Sequence, residues 1–261
     1  MLAYDGRHPH LSACCVGATP AANADLLAAL EDSPLFGGLP YTVLPDLLGH
    51  FKRDKWKGAR PNITPAHAKE RFYLVVAGHI RLFRVNPKSG RELTLILLGP
   101  GDAFDVSVLL TGERLIGSAQ GFAGLETVSV SMSQARTWRT LYPEFYRGCE
   151  RYVIDQCSRI ADLATELALF GADVRLARLL LRRAGGEAGD APLRPIEGLS
   201  HELIASLIGS SRESVTREVT RFKQQGLIVG GRGSISVADR EGLERCCLYA
   251  GASKGISAES R

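Results

Sequence analysis

Short runs of alternating apolar and polar residues fill the middle of the chain, a pattern typical of β-strands. Clusters of Gly, Pro and Asn separate the runs, which cover residues 72–76, 80–85, 93–98 and 127–131. Several short strands joined by such turns indicate an antiparallel barrel or jelly roll, whose interior holds side chains or one small ligand. We therefore predict a β-roll domain over residues 24–141, after a loose tail at 1–23.

The pattern changes after Trp138, where a long segment repeats its apolar residues every seven positions. Two such sets of positions, three residues apart, continue through residues 143–170. This seam is the signature of a two-stranded coiled coil, so we predict a dimerisation helix over 142–171, with Gln156 fixing its register. A single amphipathic helix that packs on its own domain is the alternative. The predicted seam consists of Tyr146, Cys149, Val153, Gln156, Ile160, Leu163 and Leu167.

Residues 199–219 indicate a helix, a tight turn and a second helix. Ser200 can cap the first helix by accepting a backbone N–H, and Gly209 can adopt the positive φ that the chain reversal needs. Ser210 or Ser211 can cap the second helix. The spacing is that of a helix-turn-helix. The predicted buried stripe of the second helix is Val215, Val219 and Phe222.

Two short apolar runs follow the second helix, at residues 226–229 and 234–237, on either side of a Gly-rich turn. A hairpin there would form the wing of a winged helix, with Arg232 at its tip as a phosphate contact. We therefore predict a winged helix-turn-helix over 172–247 and a C-terminal tail at 248–261.

The second helix of the motif carries charged residues away from its apolar stripe. The N-terminal residues of such a helix reach base edges in the major groove. Because Arg suits the two acceptors of guanine and Glu can accept from the cytosine amino group, we predict that Arg212, Glu213 and Arg217 read bases. Two alternatives stay open. Glu213 can close a capping box with Ser210, and both arginines can lie on a solvated helix face.

The 261 residues have the composition of a globular chain, with 45% hydrophobic residues, 23% charged residues and a net charge of +4. These values exclude a largely disordered protein. The longest apolar run is far below the ~20 residues that a membrane span needs, so no membrane partner is expected. No apolar signal segment opens the chain, so we expect a cytoplasmic location. The motifs of nucleotide-binding loops, serine hydrolases and zinc proteases are absent, which argues against an enzyme.

A β-roll, a long helix and a winged helix-turn-helix, in this order, resemble the cAMP receptor protein / fumarate-nitrate reductase regulator (CRP/FNR) family of bacterial transcription factors. The resemblance covers residues 24–245, and its most specific parts are 211–217 (SRESVTR) and 225–228 (QGLI). It implies an α+β fold with a cyclic-nucleotide-binding-like jelly roll. It also implies a homodimer on a palindromic double-stranded operator, base reading by Arg212, Glu213 and Arg217, and action on RNA polymerase. The residues expected at the DNA backbone are Ser200, Ser211, Thr216, Arg221 and Arg232.

The effector is not evident from the residues. The cyclic-nucleotide binders of this family hold ribose and phosphate with a Gly-Glu pair and an Arg-Ser-Ala triplet. Here Val106 and Gly117 stand near the positions of that Glu and that Arg, and Arg114 lies close by in the sequence. We therefore expect that cAMP is not the effector.

Metal-based sensing also has little support, and we expect no metal site or other cofactor. An iron–sulfur cluster needs spaced cysteines, whereas Cys14 and Cys15 are adjacent and no C-x-x-C occurs among the six cysteines. For haem the candidate ligands are His50, His67 and His79; at His79, next to the turn residue Gly78, we favour an exposed hairpin histidine.

Two further features could carry a signal. At the seam, Cys149 would face its symmetry mate, so a disulfide could lock the dimer, with Cys157 as a second redox candidate; a small apolar seam residue is the alternative. The basic segment 52–69 could contact an anionic effector such as a cyclic dinucleotide, but we favour a solvated loop. The alternative function for the whole chain is a cyclic-(di)nucleotide-binding signalling module whose C-terminal domain contacts protein.

Overall fold

The computed structural model describes residues 20–114, 117–184, 196–197, 200–230 and 234–248. Within these ranges, no helix combines the length and the apolar character that crossing a bilayer requires.

The N-terminal part of the described chain has three helices and two short strands before the first of the predicted strand runs. Its elements are α1 (Pro20–Glu31), α2 (Leu44–Leu48), β1 (Lys52–Lys55), β2 (Asn62–Ile63) and α3 (Pro65–Glu70). The basic segment 52–69 is therefore not the loop that we favoured from the sequence.

Part of this basic segment is ordered because β1 pairs with a later strand, residues 126–131, although the side chains of β1 are mostly exposed. Arg53 and Lys55 place their cationic groups 3.1 Å and 2.9 Å from the Glu126 carboxylate on that strand. Backbone pairing and charge thus order this strand, with no apolar alternation for a sequence pattern to detect.

The roll follows the predicted runs closely. Its elements are β3 (Arg71–Ala77), β4 (Ile80–Val85), β5 (Glu92–Leu98), β6 (Ala103–Phe104), α4 (Val106–Thr111), β7 (Ser118–Gly121) and β8 (Glu126–Ser131). They form two four-stranded sheets with the orders β1-β8-β3-β6 and β2-β7-β4-β5. In the first sheet, β3 and β8 are antiparallel, with Phe72 opposite Val130 and a bulge between Val75 and Ala77.

A cluster of aromatic rings fills the core beneath the first sheet. Phe36, Trp138 and Phe145 are at most 2% exposed. Trp138 meets the rings of Phe36 and Phe145 edge-on, with centroids 6.3 Å and 6.2 Å away, and Phe72 meets Phe145 in the same way. Each buried aromatic side chain of this kind stabilises the fold by about 1.5–3 kcal/mol relative to an exposed one.

Helical elements and a small sheet form the C-terminal half. They are α5 (Met132–Leu141), α6 (Pro143–Leu169), α7 (Ala172–Ala184), β9 (Ile196–Glu197), α8 (His201–Ile208), α9 (Arg212–Gln224), β10 (Ile228–Val229), β11 (Ser234–Val237) and α10 (Arg240–Leu248). The long helix α6 has 27 residues and ends within two residues of its predicted end.

Tertiary contacts divide the chain into two compact units. One contains the described parts of Met1–Ile80, Leu98–Leu115 and Ala119–Ile154. The other contains those of Arg81–Leu97, Ile116–Ser118 and Asp155–Arg261. Most of the β4–β5 hairpin thus belongs to the second unit, although the sequence groups it with the roll.

Candidate nucleic-acid interface

The helix-turn-helix predicted from the sequence is formed by α8 and α9. Ser200 caps α8, because its hydroxyl accepts a hydrogen bond from the Leu203 N–H at 3.1 Å. Gly209 ends the helix in the left-handed conformation, with φ of 59° and ψ of 44°. A Cβ at Gly209 would overlap the end of the Leu167 side chain, which would have to move, so the positive φ is the stronger reason for glycine here.

A buried pair of hydroxyls holds α8 against the β4–β5 hairpin in the second unit. The Oγ atoms of Thr94 and Ser206 lie 2.8 Å apart, and the two residues are 2% and 4% exposed. The Ser206 hydroxyl also donates to the Leu203 carbonyl at 3.0 Å. Since a hydroxyl has one proton, Thr94 is the donor in the pair.

Ser211, rather than Ser210, caps the second helix. Its hydroxyl accepts from the Ser214 N–H at 3.2 Å, which is typically worth about 1 kcal/mol. The pKa of Glu213 is lowered, first by a hydrogen bond from its own backbone N–H and then by one from the Ser211 side chain. The capping box of Ser210 with Glu213 is therefore not formed, because the N-cap is Ser211 and its hydroxyl is paired with Ser214.

The two faces of α9 differ as predicted. The buried stripe is confirmed, with Val215, Val219 and Phe222 at most 3% exposed. Residues four apart on the opposite side share one face, since a helix returns after 3.6 residues. They line a single concave surface and are Arg212, Glu213, Thr216, Arg217, Thr220, Arg221 and Gln224.

This surface brings the three predicted base-reading residues together at the N-terminal half of the helix. Arg217 is 74% exposed on its side chain, with a 3.3 Å hydrogen bond to the Ser214 hydroxyl and a 3.6 Å approach to Glu218. Arg212 makes no salt bridge with any residue in the described ranges. A guanidinium on an exposed helix face is well suited to bidentate binding of an acceptor pair.

The residues predicted to contact the DNA backbone differ in the hydrogen bonds and ion pairs that they already make within the protein. Ser200 and Ser211 are helix caps, and the Thr216 hydroxyl donates to the Arg212 carbonyl at 2.9 Å. Arg221 has two carboxylate partners, Glu218 at 2.9 Å and Asp173 at 3.2 Å, which leave it less free for phosphate than the sequence suggests. Arg232 lies outside the described residues.

A contact between the two helices of the motif, made by His201, was not predicted. The His201 ring nitrogen lies 2.9 Å from the Thr216 hydroxyl, and burial, followed by the charges of Lys223 and Arg212, lowers the pKa of His201. The position of His201 at the start of α8 gave no signal, because the contact joins residues 15 apart on two helices.

The predicted wing is present in the described strands. β10 and β11 pair antiparallel, with Ile228 opposite Val237. A third strand, β9, pairs with the other edge of β11 and was also missed, since only two residues form it.

The residues of the predicted α6 seam are partly exposed in a single chain, with the exception of Cys149. Tyr146 is 39% exposed, and Val153, Gln156, Ile160, Leu163 and Leu167 are half-buried. Cys149 instead is fully buried within its own chain, and this burial raises the pKa of its thiol to about 12. A thiol in this position is inaccessible and protonated, which argues against the hypothesised disulfide; Cys157 is exposed.

In the roll, the position that would offer a carboxylate to a ribose is apolar and closed. Val106 is 2% exposed at the start of α4. Arg114 is buried beside Asp105. No group of three or more metal-ligating side chains occurs in the part of the chain that the structure describes.

The fold and this surface define a winged helix-turn-helix protein with an N-terminal β-roll. A family model described as a Crp-like helix-turn-helix domain matches residues 174–246. The chain is 30% identical to the cyclic AMP receptor protein of Thermus thermophilus over 82% of its own length and 97% of that protein. It is 31% identical to a CRP-like cAMP-activated global transcriptional regulator of Mycobacterium tuberculosis, over 67% and 79% of the two chains.

Solved structures agree with this result. A CRP-family transcriptional regulator from Thermus thermophilus superposes with a TM-score of 0.60 at 25% identity, over 76% of this chain and 97% of that one. A CRP/FNR-family protein from Eubacterium rectale has the same fold, with a TM-score of 0.63 at 20% identity, over 82% and 98%. The chain therefore belongs to the CRP/FNR family of transcriptional regulators. Its relatives are regulators of transcription and not enzymes.

Proposed function

We propose that this regulator acts as a homodimer that reads a palindromic DNA operator through α9. The observation that carries the proposal is the exposed face of α9, where Arg212, Glu213 and Arg217 stand opposite a fully buried stripe. A helix anchored in this way offers its N-terminal side chains to base edges in the major groove. Arginine and glutamate together suit G·C pairs.

Apolar residues of the predicted seam on α6 support the dimer. Val153, Ile160 and Leu163 are only half-buried in a single chain, so a second copy could bury their remaining apolar surface. Two copies joined along α6 would present their α9 helices to successive major grooves, roughly 34 Å apart.

The proposal assigns a separate task to each part of the chain. Residues 24–141 sense a signal, 142–171 hold the dimer together and 172–247 bind DNA. The signal is one other than cAMP, received by the roll or by an accessible cysteine such as Cys157. The output is a change in transcription by RNA polymerase in the bacterial cytoplasm.

Selection of bound sequences from random duplexes tests the proposal directly. We expect a two-fold symmetric consensus whose half-sites lie about 10 base pairs apart, center to center, or a multiple of that spacing. Recovery of no consensus, with retention that depends only on salt, would show non-specific binding and refute the operator.

Replacement of Arg217 by alanine tests base reading at one residue. We expect a loss of about 1–3 kcal/mol on the selected operator and a relaxed preference at one base pair, because a bidentate contact is removed. Quantitative gel shifts on operator variants measure both effects. The matched control is Arg136→Ala, which removes an exposed arginine from α5. An equal loss of affinity on every sequence would instead identify Arg217 as a phosphate contact.

A further inference from the structure

Arg221 lies toward the C-terminal end of the α9 surface, beyond the predicted base-reading residues. It lines the same concave face as Arg212 and Arg217. Because a helix rises about 1.5 Å per residue, Arg221 is about 13.5 Å further along the axis than Arg212. Bases are read by the N-terminal residues of such a helix. A cation this far along the same face is suited instead to a phosphate of the DNA backbone.

Two carboxylates are paired with this arginine. Glu218 Oε2 lies 2.9 Å from Arg221 Nη2, and Asp173 Oδ2 lies 3.2 Å from the same nitrogen atom. One positive charge is thus shared by two negative charges. These three side chains together carry a net negative charge, although the surface to which Arg221 belongs is the one expected to approach a polyanion.

The two carboxylates differ in how firmly they are held beside the guanidinium. Glu218 is on α9 itself, three residues before Arg221, its side chain is 13% exposed, and Arg217 Nε lies 3.6 Å from its other oxygen. Asp173 is in the first turn of α7, 48 residues from Arg221 in the sequence, and its side chain is 40% exposed. Since ion pairs open to solvent are weak, Asp173 can turn away at little cost, whereas Glu218 stays with its helix.

The Asp173 carboxylate and a DNA phosphate are alternative partners for Arg221. Arginine binds both kinds of oxyanion with the same N–H groups. A phosphate on this guanidinium would lie within a few ångströms of the Asp173 carboxylate, and two like charges at that distance repel each other. Binding of the DNA backbone at this position therefore requires that the Asp173 carboxylate leave Arg221.

We propose that Asp173 limits the affinity of this regulator for DNA, because it occupies Arg221 until a phosphate of the bound duplex replaces it. The inference rests on the proposed function, since it requires α9 to face DNA. In the free protein, a carboxylate of α7 takes the place of a backbone phosphate. Its effect is independent of the base sequence, because every duplex offers phosphates.

Binding of full-length Asp173→Asn to the selected operator and to a random duplex tests the inference. We expect the affinity to rise roughly two- to fivefold on both duplexes, as for the loss of an ion pair open to solvent. We also expect the decrease of log affinity with log salt concentration to steepen by about one unit, because one more phosphate is neutralised. Fluorescence anisotropy at several salt concentrations measures both quantities.

Three further variants separate the Asp173–Arg221 pair from a general change of charge. Glu241→Gln removes one negative charge from an 87% exposed side chain on α10 and should change the affinity much less. In an Arg221→Gln background, replacement of Asp173 by asparagine should bring no gain, because the competing cation is gone. Asp173→Ser removes the same charge and takes the place of Asp173→Asn if that variant does not fold.

The possible outcomes separate this inference from the proposed function. Unchanged affinity and salt dependence of Asp173→Asn, on an operator that the wild type binds, would overturn the inference alone. A gain that persists without Arg221, or an equal gain in Glu241→Gln, would overturn it as well, since net charge would then explain the effect. The expected gain on random duplexes without any selected consensus would support the inference and refute the operator. Failure of the wild type and of Asp173→Asn to bind either duplex would overturn both.

Discussion

Burial of a single carboxyl, that of Asp105, has a measurable consequence for stability. Burial raises the pKa of Asp105 from 3.8 to about 6, although the charge and hydrogen bond of Arg114 act in the opposite direction. The folded state thus holds this proton more tightly than the unfolded state does. The stabilising contribution of the group is fully present below pH 3.8 and is lost as the pH rises through about 6.

Comparison of the wild type with Asp105→Asn isolates this effect, since asparagine does not titrate. A pKa rise from 3.8 to about 6 corresponds to about 3 kcal/mol. The free energy of unfolding of the wild type, relative to the variant, should therefore fall by up to that amount between pH 4 and pH 7. Urea unfolding at several pH values measures it. A difference that grows with pH would mean instead that the ionised pair with Arg114 stabilises the fold.

At the scale of secondary-structure elements, the contact of α8 with the β4–β5 hairpin depends on one direction of hydrogen bonding. Thr94 donates to the Ser206 hydroxyl, which in turn donates to the Leu203 carbonyl. Removal of the acceptor leaves a buried donor unsatisfied, whereas removal of the donor leaves Ser206 bonded to Leu203.

The two single replacements should therefore differ in cost. We expect Ser206→Ala to lower the free energy of unfolding by about 1–3 kcal/mol, and Thr94→Val to lower it by about 0.5–1.5 kcal/mol. Urea denaturation of both variants and of the double variant gives the individual costs and their coupling. The opposite order of costs would show that Ser206 is the donor in the pair.

For the whole molecule, the decisive question is association along α6. Ile160 is half-buried in a single chain and lies at the center of the predicted seam. A carboxylate at this position would be buried between two helices without a partner charge. We expect Ile160→Asp to yield a monomer and to weaken operator binding at least about tenfold, while non-specific binding changes less.

Sedimentation analysis and gel shifts check both effects. Ala161→Asp places the same charge on the next residue, which lies outside the seam and is exposed, and should leave the dimer intact. A dimer that persists in Ile160→Asp would place the interface elsewhere on the chain.

The sequence predicts elements well where one face is apolar at a fixed period. Strands β3, β4, β5 and β8 lie within one residue of their predicted bounds, and α6 spans nearly the predicted range. The prediction fails at β1, where the strand is polar and ordered by pairing with β8 and by ion pairs with Glu126. Periodicity reports burial of side chains and carries no information on backbone pairing between distant strands.

The candidate DNA-binding site also combines features that local sequence patterns predict with contacts that only the tertiary structure shows. The residues on the outer face of α9 follow from the 3.6-residue repeat and the cap at Ser211, both of which are local. Arg221 also pairs with Asp173, a carboxylate 48 residues away, which no local pattern predicts. The heptad assigns Cys149 to the seam, but the surrounding core covers it completely.

By itself, the sequence determined the order of the roll, the long helix and the helix-turn-helix, because turn residues, caps and apolar periods act over a few neighbouring residues. Only the tertiary structure decided which polar side chains are enclosed and with whom, as in the Asp105–Arg114 and Thr94–Ser206 pairs. The energies of such pairs depend on desolvation, which is set by the residues that close around them from distant parts of the chain.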